Sequence, residues 1–208
     1  MRVLIGCEES GKVRDAFIAR GHDAWSNDLV PARNGGNHLQ MCVTKAIKDY
    51  GPWDIIILHY DCTKTAVSGN RWYGKNTQGY KERLEDISFA CALWELAKQH
   101  ALIGCAYENP VSVIWDYIGK PQYIQPWHFG HKETKKTGLR LHKLPFLKPT
   151  HIVGPPPIDP IERKSWERIW RMPRSVTRKR DRAETYSGIA EAMADQWGRL
   201  TSDTTSDF

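Results

Sequence analysis

The stretch Trp53-Asp54-Ile55-Ile56-Ile57-Leu58 decides the fold class of this chain. Three consecutive isoleucines with no polar residue between them are typical of a strand that is buried on both faces. A strand has both faces buried when it lies within a parallel sheet that helices cover on each side. We therefore predict a central strand here and an α/β fold around it.

The segments on either side of this strand alternate between strand and helix patterns. Val3-Leu4-Ile5 is an apolar run that ends at Gly6, and apolar residues at helical spacing follow it as far as Gly21. A long helix is predicted over 80–100 and a further strand over 103–107. The helix should bury one face, formed by four residues: Leu84, Ile87, Cys91 and Trp94. This order predicts a doubly wound, mostly parallel sheet with its functional residues at the carboxyl ends of the strands.

Length and composition fit one globular domain. The chain has 208 residues and a mass of 23.9 kDa, and 40% of it is hydrophobic, so we predict a single domain over 1–200 and a frayed tail over 201–208. No apolar run approaches the roughly 18 residues that a membrane span needs. The five cysteines include no Cys-x-x-Cys pair, which argues against a disulfide framework or a zinc site and favours a reducing cytoplasm. His131-Lys132-Glu133 fits the H-x-E pattern of zinc deaminases, but no Pro-Cys-x-x-Cys follows it.

The net charge of +6 comes from one segment near the carboxyl end. Four prolines between His151 and Pro160 predict an irregular connector, and from 162 to 182 nine Lys or Arg residues face three acidic ones. We treat 151–182 as a proline-rich and then basic arm. Positive charge beside Trp166 and Trp170 is suited to binding the phosphate backbone of a nucleic acid. The alternative is that these charges form a helix face that is simply exposed to solvent. The predicted DNA-binding residues are Arg178, Lys179 and Arg180.

The loop after the first strand predicts a binding site for a small charged ligand. Gly6-Cys7-Glu8-Glu9-Ser10-Gly11 lies close to the phosphate-binding pattern, but Val13 cannot ligate Mg²⁺ and the two glutamates repel phosphate. A glycine-bearing acidic loop suits a cationic or zwitterionic ligand such as S-adenosylmethionine, and a plain tight turn is the alternative. Asp28 follows at roughly the spacing of an acid that binds ribose hydroxyls.

Cys62 and Glu108 are the predicted catalytic pair. Cys62 lies just beyond the buried strand, where a thiolate can act as a nucleophile. Glu108-Asn109-Pro110 ends the neighbouring predicted strand, so the carboxyl group should approach Cys62. If burial raises its pKa, Glu108 can donate a proton to a base ring. The alternatives are that Cys62 is a structural cysteine and that Glu108-Asn109-Pro110 forms a simple turn.

Taken in order, these segments resemble the DNA cytosine-5 methyltransferase family, and most closely its short members common in phages and prophages. The resemblance covers most of 1–198. It includes the cofactor loop, Asp28, the segment that ends at Cys62, and Glu108-Asn109-Pro110. Later in the chain it includes a block around Thr137-Gly138-Leu139-Arg140-Leu141 and the closing motif Tyr186-Ser187-Gly188-Ile189-Ala190.

The resemblance implies a Rossmann-like S-adenosylmethionine-dependent methyltransferase that acts in the cytoplasm of a bacterium or of a phage-infected host. Cys62 would add to C6 of a cytosine that is flipped out or single-stranded, while Glu108 binds N3 and the exocyclic amine. Asn109 would hold the local loop, and Arg140 would orient the thiolate or the base. The residues implied in cofactor binding are Gly6, Cys7, Glu8, Glu9, Ser10, Gly11, Asp28, Ser187 and Gly188.

The chain departs from the family pattern at two places. Tyr60-Asp61 replaces two prolines before the cysteine, which should loosen that turn and raise the pKa of the thiol. Met41-Cys42 stands where a Gly-Asp pair is expected to contact adenine. These changes keep open a catalytically inactive protein that binds DNA or cofactor, of the phage anti-restriction type. The short arm suggests weak sequence specificity, a helper subunit or homodimer, or an enzyme that modifies free cytosine nucleotides.

Overall fold

The computed structural model describes residues 1–201 and forms an α/β fold around a seven-stranded, mostly parallel sheet. The strand order is β3-β2-β1-β4-β5-β7-β6, and β7 runs antiparallel to both of its neighbours. The strands are β1 (Arg2–Gly6), β2 (Asp23–Asp28), β3 (His38–Gln40), β4 (Trp53–Leu58), β5 (Ala101–Pro110), β6 (Gln122–Ile124) and β7 (Thr137–His142). The predicted fold class is therefore confirmed at the level of an α/β fold compatible with the Rossmann type.

Strand β4 is buried on both faces, as its run of isoleucines predicts. Ile55 and Ile57 belong to one hydrophobic cluster, and Ile56 and Leu58 belong to a second cluster on the opposite face of the sheet. The helices are α1 (Lys12–Ile18), α2 (Val43–Asp49), α3 (Asn70–Tyr73), α4 (Tyr80–His100), α5 (Trp115–Ile118), α6 (Pro160–Arg163), α7 (Arg168–Arg171), α8 (Arg178–Ala183) and α9 (Ser187–Trp197). Helices α1 and α9 cover the first cluster, whereas α2, α4 and α5 cover the second.

The strand order reverses between β1 and β4, which lie side by side and parallel. In doubly wound sheets, ligands bind in the crevice at the carboxyl ends of the strands, at such a switch point. The loops after β1 and β4 begin there with Cys7 and His59, and β5 ends beside them with Glu108-Asn109-Pro110. This edge of the sheet therefore carries most of the residues singled out in the sequence.

The buried face of α4 differs from the prediction. Ile87 and Trp94 are buried as expected, but Leu84 is 41% exposed and Arg83 is buried in its place. The Arg83 guanidinium donates to the carbonyl of Lys64 at 2.6 Å and to a side-chain oxygen at 2.8 Å, so polar bonding holds this position inward. The prediction that Leu84 is buried was therefore wrong, because it considered only apolar side chains.

In the arm over 151–182, residues 152–159 form no helix or strand, as their prolines predict, and the part from Pro160 onward contains α6, α7 and most of α8. Trp166 and Ile169 are buried, whereas Trp170 is 59% exposed. Glu133 anchors this segment, because it accepts from the amide of Ile169 at 3.3 Å and from Arg168 Nε at 3.2 Å. The tail predicted over 201–208 lies outside the described residues from 202 onward.

Candidate functional site

The structure brings Cys62 and Glu108 together at the carboxyl edge of the sheet. Cys62 lies four residues beyond β4, and Glu108 lies near the end of β5, which pairs with β4 as far as Leu58 and Tyr107. The two groups are close enough that the Glu108 charge raises the pKa of the Cys62 thiol. Asn109 joins the two loops, since its side-chain amide donates to the carbonyl of Tyr60 at 3.1 Å.

Glu108 is held as a carboxylate, contrary to the expectation that burial raises its pKa. Burial does act in that direction, but a hydrogen bond and charge from His59 and the charge of Lys135 outweigh it, so the pKa falls below its ordinary value. His59 Nδ1 lies 3.5 Å from Oε2 of Glu108. Within residues 1–201, the buried Nε2 of His59 has no hydrogen-bond partner.

The Cys62 thiol is protonated at neutral pH in the free protein. Burial is the largest cause that raises its pKa to about 11, followed by the charges of Glu108 and Asp61. The expected effect of Asp61 is therefore confirmed in direction, although burial contributes more. Lys135 acts the other way and favours the thiolate. Burial lowers the pKa of Lys135 itself, against the charges of Glu108 and Cys62.

Hydrogen bonds fix the turn before Cys62 in place of the two prolines. Oδ1 of Asp61 accepts from the amide and the hydroxyl of Thr63 at 2.9 and 2.6 Å, which forms an Asx turn. The Tyr60 hydroxyl donates to Asp86 at 2.9 Å. The carbonyl of Cys62 accepts from the amide of Ala66 at 2.8 Å. The turn is therefore not loosened by the replacement.

The structure does not bring Arg140 to Cys62 and Glu108. Arg140 pairs across the sheet with Tyr107, and Glu108 pairs with Leu139, so the side chains of Arg140 and Glu108 lie on opposite faces. Arg140 Nε instead donates to the carbonyl of Ile118 at 2.8 Å. No contact therefore supports the role expected for Arg140, and Lys135 supplies the positive charge near the pair.

The two glutamates of the loop after β1 are occupied within the protein. Oε1 of the buried Glu8 accepts from the amide of Val13 at 2.7 Å and from Ser10 Oγ at 3.2 Å. This carboxylate therefore caps α1. Glu9 forms ion pairs with Arg33 at 3.1 Å and with Arg180 at 3.4 Å.

Asp28 and Cys7 lie together where β1 and β2 end. Oδ1 of Asp28 accepts from the amides of Leu29 and Val30 at 2.7 and 3.3 Å, and Oδ2 has no hydrogen-bond partner within the described part of the chain. Burial, followed by the charges of Asp28 and Cys42, raises the pKa of the Cys7 thiol to about 12. A carboxylate oxygen with free acceptor capacity suits the ribose hydroxyls of a nucleoside, and the half-buried Cys7 lies beside it. Gly6 is the buried last residue of β1. Gly11, with a φ of 71°, immediately precedes α1.

Ser187 and Gly188 begin α9 against the segment that precedes β7. The amide of Gly188 donates to Nε2 of His131 at 3.1 Å, and Ser187 Oγ lies 3.4 Å from the same nitrogen. A Cβ atom at position 188 would collide with the carbonyl oxygen of Phe129, so packing alone requires glycine here. Just before α9, Glu184 pairs with Arg33 at 2.6 Å, and Arg33 pairs in turn with Glu9 of the loop after β1 at 3.1 Å.

Helix α8 of the basic arm lies over the candidate site. Lys179 Nζ contacts Asp61 at 2.9 Å, and Arg180 reaches Glu9, so one helix bridges both loops of the edge. Arg178 Nε donates to the carbonyl of Met172 at 2.9 Å. The cations predicted to bind DNA are thus engaged by internal acceptors in the free protein.

His59 and Lys135 are the site residues that sequence reasoning missed. His59 follows β4 directly, at a position that any site on this edge would use. Lys135 precedes β7 by two residues, and its charge lowers the pKa of Glu108. The alternation of β7 places Leu139, and not Arg140, on the face of Glu108, whereas no sequence pattern marks Lys135.

Comparison with known proteins gives no family for this chain. No family model matches it, and no curated protein is similar to it. Over residues 1–201, no helix is long and apolar enough to cross a membrane. Over the same residues, no group of three or more His, Cys, Asp or Glu side chains could hold a metal ion.

Proposed function

We propose that this protein methylates C5 of cytosine in DNA, with S-adenosylmethionine as the methyl donor and Cys62 as the covalent nucleophile. The observation that carries the proposal is the meeting of Cys62 and Glu108 at the ends of two adjacent parallel strands, with Asn109 bonded to the loop between them. A thiol and a carboxylate at one edge of the sheet can act together on a pyrimidine ring, the thiol as nucleophile and the carboxylate in proton transfer.

The protonated thiol of Cys62 and the ionised Glu108 support a first step in which the proton moves from the sulfur to the carboxylate. The neutral thiol of Cys62 transfers its proton to the Glu108 carboxylate, and its sulfur forms a bond to C6 of the cytosine. Glu108 passes that proton to N3, so the ring becomes an enamine that is nucleophilic at C5. His59 and Lys135 keep Glu108 ionised before the reaction, and Lys135 favours the developing thiolate.

The residues at the ends of β1 and β2 fit S-adenosylmethionine. The free Oδ2 of Asp28 suits the ribose hydroxyls, and the buried Oδ1 of Asn27 lacks a hydrogen-bond partner within residues 1–201. Because Glu8 and Glu9 are engaged elsewhere, backbone groups of the loop rather than these carboxylates would contact the ligand. When bound, S-adenosylmethionine supplies an electrophilic methyl group for C5. A base, which can be water, would then take the C5 proton, and the electrons of that bond would re-form the C5–C6 double bond. The Cys62 sulfur would leave as a thiolate, which the proton on N3 neutralises.

Transfer of tritium from labelled S-adenosylmethionine to DNA tests the proposal. The wild type and Cys91→Ala should transfer label equally, because Cys91 lies on α4 away from the site. Cys62→Ala should transfer none. Equal label transfer by Cys62→Ala and the wild type would contradict catalysis through this cysteine, and a preference for dCMP over DNA would reassign the substrate.

A second candidate is a catalytically inactive protein that binds DNA. The observation that favours it is the raised pKa of Cys62, to which burial, Glu108 and Asp61 all contribute. Calorimetry separates the two functions: an inactive DNA-binding protein would bind DNA but not S-adenosylmethionine, whereas the methyltransferase binds both.

A further inference from the structure

Trp72 is a large aromatic side chain that the fold holds out in solvent. It lies in α3 and is 65% exposed. The segment around it is well fixed, because Thr77 Oγ1 donates to the Trp72 carbonyl at 2.7 Å. Arg83 ties the same segment to α4 through a 2.8 Å hydrogen bond to the side chain of Asn70. The indole is therefore presented on a rigid support.

A cavity of about 410 Å³ opens beside this ring. The Arg71 guanidinium carbon lies 5.2 Å from the centroid of the Trp72 ring, so a cation and an aromatic face are already arranged together. The rest of the wall is formed by Tyr73, Thr77, Gln78, Gly79 and Glu82. A cavity of this size accepts a planar group of the dimensions of a nucleobase.

The charge around the cavity suits an anion. Arg71 of the lining is exposed, and within residues 1–201 it forms no ion pair with a carboxylate. The one carboxylate of the lining, Glu82, pairs with Lys64 at 3.5 Å. An aromatic platform with unpaired cations at its rim is how proteins hold single-stranded nucleic acid, because bases stack on the ring and phosphates contact the cations.

The platform belongs to the same loop as the nucleophile. The loop leaves Cys62, whose carbonyl accepts from the amide of Ala66 at 2.8 Å, and it reaches Trp72 ten residues after Cys62. Arg83 Nε donates to the carbonyl of Lys64 at 2.6 Å, so the part of the loop nearest Cys62 and the part nearest Trp72 share one anchor. Cys62 and Trp72 are thus carried by one connection between β4 and α4, which Arg83 holds at both ends.

We infer that Trp72 and Arg71 form a stacking site for one nucleobase that flanks the target cytosine in a single-stranded or locally opened DNA strand. This inference rests on the proposed function, because it takes DNA as the ligand and the Cys62 site as the position of the target cytosine. The site would hold the substrate strand in position and would take no part in bond formation.

Binding of fluorescein-labelled single-stranded DNA, followed by anisotropy, tests the inference. With an oligonucleotide of about twelve residues that contains one cytosine, Trp72→Ala should raise Kd about tenfold, within the range of stacking losses measured for other proteins. Trp72→Phe should restore much of the affinity, since a phenyl ring still stacks. Phe146→Ala is the matched control, because Phe146 is 70% exposed and follows the far end of β7.

Abasic substitution locates the stacked base. Oligonucleotides with one abasic nucleotide at each position in turn should bind the wild type weakly at a single position near the cytosine, and this position effect should vanish in Trp72→Ala. A Trp72→Ala protein that binds within twofold of the wild type, or a position effect that persists in this variant, would overturn the inference.

The outcomes separate this inference from the proposed function. Stacking that depends on Trp72 but without methyl transfer would refute the proposed chemistry and leave the platform standing. Methyl transfer without any effect of Trp72 on binding would refute the stacking site and leave the proposed chemistry standing. An absence of any DNA binding would refute both.

Discussion

The reactivity of the Cys62 thiol should be set by its burial and by the Glu108 carboxylate beside it. These two causes, together with Asp61, raise the pKa from 9.0 to about 11. Because thiolate content changes tenfold per pH unit below the pKa, the thiolate at pH 7.5 is about 100-fold scarcer at Cys62 than in a thiol of pKa 9.0. Alkylation of Cys62 by iodoacetamide at pH 7.5 should therefore be about 100-fold slower than that of a thiol with a pKa of 9.0.

Replacing Glu108 by Gln removes the charge that raises the pKa of Cys62 more than Asp61 does. The burial of the thiol is unchanged. The alkylation rate of Cys62 at pH 7.5 should then rise by about threefold or more, and it should stay below the roughly 100-fold limit set by complete loss of the shift. The rate is read by mass spectrometry of the peptide that contains Cys62, in a Cys42→Ser background because Cys42 is exposed.

The control is Glu85→Gln, which removes an exposed carboxylate on α4 and should leave the rate unchanged. In the wild type the rate should rise about tenfold per pH unit between about 7.5 and 10, and level off near 11. An unchanged or slower reaction in Glu108→Gln, or levelling near pH 9, would refute the electrostatic coupling of the pair.

Three further outcomes are expected. Glu8→Ala should lower the free energy of unfolding in urea by about 1–2 kcal/mol, since it strips a buried cap from α1; a loss no larger than that of exposed Glu82→Ala would contradict this role. Alanine at 178–180 should weaken DNA binding and flatten its salt dependence, because these cations exchange internal partners for phosphates; an unchanged salt slope would leave them as solubilising charges. The lowered pKa of Glu108 stabilises the fold fully above the ordinary carboxyl pKa of 4.5, and this stabilisation is lost as the pH falls through the lower folded pKa. Stability curves below pH 5 should therefore be flatter in Glu108→Gln, and parallel curves would exclude the effect.

The fold could be predicted from the sequence because one strand carries an unambiguous pattern. The buried run of β4 required a parallel sheet with helices on both faces, and such a sheet has a defined functional edge. Cys62 lies four residues beyond β4 and Glu108 lies near the end of β5, so their approach could be predicted from the order of the strands.

The electrostatic partners of the pair could not be predicted in the same way. His59 directly follows β4 and Lys135 precedes β7 by two residues, and their effect on the pKa of Glu108 depends on distances that no sequence pattern encodes. The expectation that burial raises the pKa of Glu108 considered its environment without these two residues. The role given to Arg140 followed a motif and ignored the alternation that places Leu139, not Arg140, on the Glu108 face.

The basic arm shows a further limit of sequence reasoning. Its composition predicts a solvated or DNA-binding surface, but Lys179 and Asp61 are 118 residues apart in the chain and form a 2.9 Å hydrogen bond. Long-range ion pairs have no periodic signal, so the placement of α8 over the site emerges only from the fold.

Covalent attack by Cys62 is tested most directly by the mass of the protein after incubation with S-adenosylmethionine and a single-stranded oligonucleotide that contains 5-fluorocytosine. Fluorine replaces the C5 hydrogen that must leave, so the cysteine cannot be expelled after methylation. The expected species has the mass of protein, oligonucleotide and one methyl group, survives denaturation, and is absent with Cys62→Ala. An unmodified mass for the wild type, or an adduct that persists in Cys62→Ala, would contradict this mechanism.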